Sequence, residues 1–291
     1  AQSSEIYWEG QDLPTNGGLV RKRPATYTQS MLIDYHMHTR LTDGTGEPVE
    51  YARVALERGL TEIGCSEHAP LGTHDTDWTL KESDVAVYVE MVREAQRQFP
   101  QLTIKVGLEV DFFPGREDWI RHLAGLYPWD YFLGSVHFIG DWPIDLSAEK
   151  WNGQDVNERW QKYYDLWAQA ARTGLFDSLA HPDLPKKFGH RPTVPSPEAW
   201  YEPALKAVKK ANVAIEISTA GLRKPCREIY PAENFLRAAQ QLDIPITLGS
   251  DAHIPQDTGA DFDKAVALAR RCGYDKICRF TQRKRELVPL G

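Results

Sequence analysis

Along residues 31–291 the chain alternates between two hydrophobic periods. Short β-favouring apolar runs are each followed by a stretch whose apolar residues recur at helical spacing. The runs at 31–38, 62–66, 103–110, 131–136, 178–180, 213–218 and 246–250 predict seven strands. Helices are predicted over 47–58, 83–99, 155–172, 198–211, 231–242 and 261–272. Ser83 reads as an N-cap, Gly59 and Gly174 as C-terminal stops and Pro231 as a first-turn residue. Residues 1–30 lack this pattern: they are polar, carry Pro14, Gly17, Gly18 and Pro24, and read as an extension ahead of a single domain at 31–291.

Strands that alternate with helices predict parallel βαβ units. In an open doubly wound sheet, ligands gather at one switch point served by few strands. Here six of the seven predicted strands carry a His, Glu or Asp at or near their C-terminal ends. Only a closed barrel brings that many strand ends to one mouth, the face where such barrels keep their active sites. The expected fold is therefore an α/β, TIM-like (β/α)7 barrel.

Composition narrows the chemistry. With a net charge of −7 and no basic stretch beyond Arg283-Lys284-Arg285, the chain is a poor match for long nucleic acid. No apolar run approaches the ~20 residues that span a bilayer. The four cysteines, at 65, 226, 272 and 278, form no C-x-x-C pair, so a thiolate zinc site is not expected. Cys65 reads as a small core residue, and the count fits a reducing, cytoplasmic setting. No G-x-G-x-x-G follows a strand, so a dinucleotide has no support. Trp119, Trp129, Trp142, Trp151, Trp160 and Trp167 are scattered without a stacking pattern and read as packing. His74 and His122 fall outside strand ends and are expected to be exposed or locally bonded.

The strand-end candidates are His36, His38, His68, Glu109, His137, His181, Asp251 and His253, with Asp43 in the loop after the first strand. Side chains alternate along a strand, so His36 and His38, and likewise Asp251 and His253, are expected to point the same way. So many ligands imply two or three divalent ions, with Zn, Fe, Mn and Co all chemically suitable. Paired ions suit phosphate-ester hydrolysis best, with metal-assisted amide or amidine hydrolysis next. A non-catalytic metal-binding barrel is the alternative from a different class.

His36-x-His38, Glu67-His68, Gly107-Leu108-Glu109, Ser135-Val136-His137, His181-Pro182-Asp183 and Gly249-Ser250-Asp251-Ala252-His253 together resemble the ordered metal motifs of the polymerase and histidinol phosphatase (PHP) family. The resemblance covers roughly residues 31–254. It implies a distorted seven-stranded barrel of PHP type and a di- or trinuclear phosphoesterase centre, with His36, His38, Glu109 and Asp251 at its catalytic heart. One ion would be held by these four, and Glu109 would bridge to a second that also takes His137 and His181. A third would take His68, His253 and Asp43, in a loop about one residue shorter than the family commonly has. The segments 66–70, 107–111, 181–189 and 218–224 resemble the branch of the family that hydrolyses L-histidinol phosphate to L-histidinol and phosphate in histidine biosynthesis. Another small phosphomonoester or a nucleotide is the rival substrate. Lys187 and Arg223 are expected to grip phosphate oxygens, with Arg191 and His190 as weaker candidates. Glu216 is expected to enter the barrel and meet the substrate's amine or imidazole, or to pair with an internal cation.

Overall fold

Each apolar run becomes a strand, and each strand is followed by one helix. The computed structural model describes residues 31–72 and 76–291, so the readings of residues 1–30 and of His74 fall outside the described residues. The strands are β1 (Ile33–Asp34), β2 (Glu62–His68), β3 (Thr103–Asp111), β4 (Tyr131–Ser135), β5 (Ser178–Leu179), β6 (Ala214–Ser218) and β7 (Ile246–Gly249). They pair in parallel, in chain order. The ring closes between β1 and β7, where the Tyr35 N–H donates to Leu248 O at 3.1 Å and Met37 bridges Ala252 in parallel. The expected (β/α)7 barrel is the fold observed.

The helices are α1 (Pro48–Glu57), α2 (Val85–Gln98), α3 (Glu117–Leu126), α4 (Val156–Thr173), α5 (Glu198–Ala211), α6 (Glu233–Gln241) and α7 (Phe262–Arg271). A strand sandwiched between the helical ring and the barrel interior is buried on both faces, as β2 is at every position. Asp155 caps α4 by accepting from the Glu158 N–H, and Gly174 ends it at φ +66°. Ser83 does not cap α2: it sits within a 3-10 turn, Glu82–Asp84, and the helix starts at Val85, just after the expected position.

Aromatic rings fill the lower barrel. Tyr35 and Tyr131 lie 4.6 Å apart, centroid to centroid, and Phe280 is 5.8 Å from Tyr35. Room for the Tyr131 ring comes from two glycines on the neighbouring strands. A Cβ on Gly64 would fall 2.3 Å from the Tyr131 hydroxyl, and one on Gly107 would fall 2.5 Å from its Cζ. Phe280 arrives on a C-terminal hairpin, β8 (Lys276–Thr281) and β9 (Lys284–Pro289), which closes the N-terminal end of the barrel. Arg279 pairs with Glu62, Lys105 donates to Thr281, and Arg283 pairs with Asp177 just ahead of β5. The basic run Arg283-Lys284-Arg285 is thus partly a set of staples, with Arg285 bonded to Asn212. Side chains and the hairpin thus fill the N-terminal end of the barrel, and the strand-end ligands gather at the C-terminal mouth.

Candidate metal centre

At that mouth a single carboxylate lies at the centre of five imidazoles. Glu109, near the end of β3, is 2% exposed. Its Oε2 is 3.2 Å from His36 Nε2, 3.4 Å from His38 Nε2 and 3.0 Å from His68 Nδ1. Its Oε1 is 2.9 Å from His181 Nε2 and 3.5 Å from His137 Nε2. Asp251 Oδ1 faces His36 and His38 at 3.6 and 3.4 Å, and His253 at 3.5 Å. Asp43 meets His68 at 3.6 Å and His253 at 3.2 Å.

The strand-alternation argument reaches only part of this geometry. Regular pairing ends at Gly249, and Asp251 lies beyond it at φ +50°, a left-handed conformation unusual for a non-glycine residue. The turn is held by Asp34, which accepts from the Ser250 N–H at 2.9 Å, the Ser250 hydroxyl at 2.5 Å, the Gly259 N–H at 2.8 Å and the His36 N–H at 3.2 Å. Asp251 and His253 therefore meet through a clamped turn rather than through the pleat. The short loop carrying Asp43 is fixed in a similar way. Glu67 accepts from the Thr39 N–H at 2.9 Å and from the Thr42 hydroxyl, while the Thr45 N–H donates to His253 O at 2.8 Å. Gly44 is required there, because a Cβ would sit 2.0 Å from His38 O.

The donor set fits divalent cations. Buried polar atoms are normally hydrogen-bonded, yet among the described residues His36 Nε2, both His38 nitrogens, His68 Nδ1, His181 Nδ1 and Glu109 Oε2 have no hydrogen-bond partner. Four overlapping groups bring ligand atoms within 4.8 Å of one another: His38, Asp43, His68 and His253; His36, Glu109 and His181; His36, His38 and Asp251; His68, Glu109 and His137. Imidazole and carboxylate donors in this proportion suit Zn, Fe and Mn. Two imidazoles have a carboxylate on the nitrogen facing away from the centre: His36 Nδ1 meets Glu216 Oε1 at 2.8 Å, and His137 Nδ1 meets Asp111 Oδ1 at 2.9 Å. Such partners set the tautomer that turns the other nitrogen inward.

The same contacts shift how these groups hold protons. Burial alone would push the Glu109 carboxyl up, but His36, His68, His137 and His181 hold it well below the usual carboxylate range. His36, His38 and His253 do the same for Asp251 against its burial. Burial, followed by the neighbouring His68 and His253, takes His38 down to about 3, so this imidazole stays neutral. His137 is also opposed by burial, yet Asp111 and Glu109 lift it to about 9.

Comparison with known proteins bears on this geometry. Residues 34–220 match the PHP domain, which is more than half of the chain. The chain is a member of the PHP family. A probable histidinol-phosphatase of Deinococcus radiodurans is 39% identical over 264 residues, spanning 89% of this chain and 99% of the relative. The histidinol-phosphatase of Bacillus subtilis is 29% identical over 267 residues, 82% of this chain and 98% of the relative. Among solved structures, the histidinol phosphate phosphatase of Lactococcus lactis, complexed with zinc, L-histidinol and phosphate, shares the fold. Its TM-score is 0.78 at 23% identity, with 87% of this chain and 98% of that chain covered.

Over the PHP centre lies a cavity of about 230 Å³ whose wall includes Asp43, His68, Glu109, His137, Asp145, His181, Lys187, Lys224 and Tyr230. A larger, shallow groove of about 640 Å³ runs outside the barrel past Arg58, Phe262 and Val266, but it carries no imidazole. Of the residues expected to bind substrate, Lys187 is on the cavity wall, with Nζ donating to Asp145 O at 2.7 Å and to its Oδ2 at 3.0 Å. Arg223 is not on that wall: it donates to Ser250 O at 2.5 Å and pairs with Asp257 at 3.1 Å. Arg191 pairs with Glu228 at 2.8 Å, and His190 stacks on Trp151 at 4.6 Å. Glu216 enters the barrel as expected, but it meets His36 and the backbone of His181 instead of the cavity. His122 is locally bonded, 3.0 Å from Glu82. Sequence reasoning missed Lys224, Asp145, Asp111 and Asp34. The first two neighbour residues already singled out in the loops; Asp111 shares β3 with Glu109, and Asp34 ends β1 two residues before His36.

Proposed function

We propose that the chain is a metal-dependent phosphomonoesterase that hydrolyses L-histidinol phosphate to L-histidinol and phosphate. The observation that carries this reading is the buried Glu109 carboxylate ringed by imidazoles with orphaned nitrogens, open to a cavity that also presents Lys187 and Lys224. The 39%-identical Deinococcus relative, matched over 99% of its length, supports the substrate. One ion would be held by His36, His38, Glu109 and Asp251, and a second by Glu109, His137 and His181. A third would be held by Asp43, His68 and His253, with His38 close by. Divalent cations there would supply Lewis acidity and offset phosphoryl charge.

The chain's own residues do the rest. The Glu109, Asp251 and Asp43 carboxylates and the neutral His38 imidazole fix where the cations would sit. Lys187 and Lys224 attract the phosphate dianion and orient it over the centre. Leu184 and Tyr230 narrow the same wall and limit water beside the ester. The reaction belongs in the cytoplasm on this reading, consistent with four buried, free cysteines.

The test is phosphate release from L-histidinol phosphate beside p-nitrophenyl phosphate, AMP and a short oligonucleotide, after reconstitution with Mn, Zn or Fe and with Asp251→Ala as control. A kcat/KM advantage of about a hundredfold for histidinol phosphate, roughly 3 kcal/mol of discrimination, is the expected result. Equal rates on every phosphomonoester would keep the metal centre and remove the substrate. No turnover with two or more ions bound would remove the enzyme.

A further inference from the structure

Glu216 is a buried carboxylate that touches two strands' worth of ligands at once. It stands on β6 with 1% exposure. Oε1 is 2.8 Å from His36 Nδ1, at the end of β1, and Oε2 accepts from the His181 backbone N–H at 2.7 Å, after β5. His36 groups with His38 and Asp251 on one side and with Glu109 and His181 on the other, so Glu216 touches ligands of both inner groups. The strand next to Glu216 makes room for it at a single position. A Cβ on Gly249 would lie 1.9 Å from Glu216 Oε1 and 2.7 Å from His36 Cβ.

The outer set, Asp43, His68 and His253, is supported separately from Glu216: Glu67 holds the loop that carries Asp43, and His253 Nδ1 faces the Asp251 backbone O at 3.1 Å. His68 turns its two nitrogens to Glu109 and Asp43, which are themselves in the centre. Asp43 and His253 are also the open members, at 36% and 32% side-chain exposure.

We propose that Glu216 is a positioning residue that couples the two inner metal positions, and that the Asp43 position exchanges its ion independently of them. This rests on the metal-centre reading given above. A carboxylate on Nδ1 fixes the imidazole with its Nε2 lone pair facing the centre and makes it a stronger donor. The same carboxylate holds the His181 backbone at φ +24°, a conformation a non-glycine residue keeps only when its surroundings impose it. Removing the carboxylate therefore loosens a ligand of each inner position together.

The experiment loads the full chain with Co(II) and titrates it with chelator, counting ions by mass spectrometry and following the d–d absorption. Wild type is expected to lose one ion first and then two together. Glu216→Gln should bring the paired loss to about 10–100-fold lower chelator and change the absorption of those ions, leaving the first loss where it was. Asp43→Asn should abolish the first loss alone. Gly249→Ala retains the carboxylate but pushes it off His36; it should reproduce Glu216→Gln, and it decides the matter if the glutamine variant does not fold. Early release of a single inner ion, an equal shift of all three ions, or a titration matching wild type would each overturn the coupling. A wild-type chain that holds fewer than two ions would instead overturn the metal centre itself.

Discussion

Lys187 and Arg223 look alike in the sequence, as cations in loops after strands, but the fold gives them different partners, and replacing each by Met separates the two. Lys187 lies in a 3-10 turn, Leu184–Phe188, with its ammonium on the cavity wall and, among the described residues, Asp145 as its one anionic partner at 3.0 Å. A phosphate oxygen would replace or share that contact. Losing one charge-assisted hydrogen bond costs about 1.5–3 kcal/mol, so Lys187→Met should lower kcat/KM for a phosphomonoester by roughly 10–150-fold. The ammonium faces phosphate oxygens before and during the reaction, so most of the loss should fall in KM. Metal content should be unchanged. The exposed Asp145 carboxylate could repel phosphate in the variant, and Lys187→Met/Asp145→Asn tests that directly. If the double variant recovers wild-type kcat/KM, the loss came from uncovered charge, and Lys187 is no phosphate ligand. A single-variant loss below threefold refutes the argument outright. Arg223→Met should instead loosen the Ser250–Asp251 turn that it holds through Ser250 O, appearing as a higher metal requirement at normal KM.

Three further outcomes follow from the same contacts. Chelation should abolish phosphate release and lower the melting temperature, and a metal present at a thousandfold over its Kd should restore about 4 kcal/mol of stability; a scanning-fluorimetry trace indifferent to chelator would count against the centre. Asp34→Asn places an amide N–H against either the Gly259 or the Ser250 donors, leaving one of them unsatisfied at a cost of about 1–3 kcal/mol. Urea denaturation should show this as a lower midpoint at unchanged slope. Gly64→Ala drives a methyl into Tyr131, whose hydroxyl donates to Tyr35 O at 2.8 Å and Cys65 O at 3.1 Å. Overpacking alone predicts about 1–3 kcal/mol of destabilisation; it should shrink in a Tyr131→Leu background, and additivity there would rule out the clash.

How much of this was readable follows from what each residue must do. A metal ligand is constrained by type: only a few side chains donate to divalent ions, and a barrel places them at strand ends. Hence His36, His38, Glu109, His137, His181, Asp251 and His253 stand out in an apolar pattern, and all of them converge. The residues that orient ligands are constrained by position instead. Glu216 and Asp111 matter because of what lies across the barrel from them, and the pairing of β6 with β7 around Gly249 is invisible before the strands are assembled. The missed elements have similarly local causes. Helix α3 buries only Ile120 and Leu123, too narrow a stripe to show as periodicity. The C-terminal hairpin turns on Gln282 and Arg283, at φ +48° and +64°, where turns of this kind ordinarily use Asn-Gly. Tertiary bonds replace the missing glycine: the Gln282 N–H donates to Asp130 Oδ1, the Arg283 N–H to Asp130 O, and the Arg283 side chain to Asp177. The turn is therefore imposed by the bottom of the barrel it closes. The same holds at the other end, where Asp34 imposes the left-handed turn at Asp251. At both mouths, then, the backbone conformation that matters is dictated by an aspartate from another part of the ring, and sequence-local rules stop where that dictation begins.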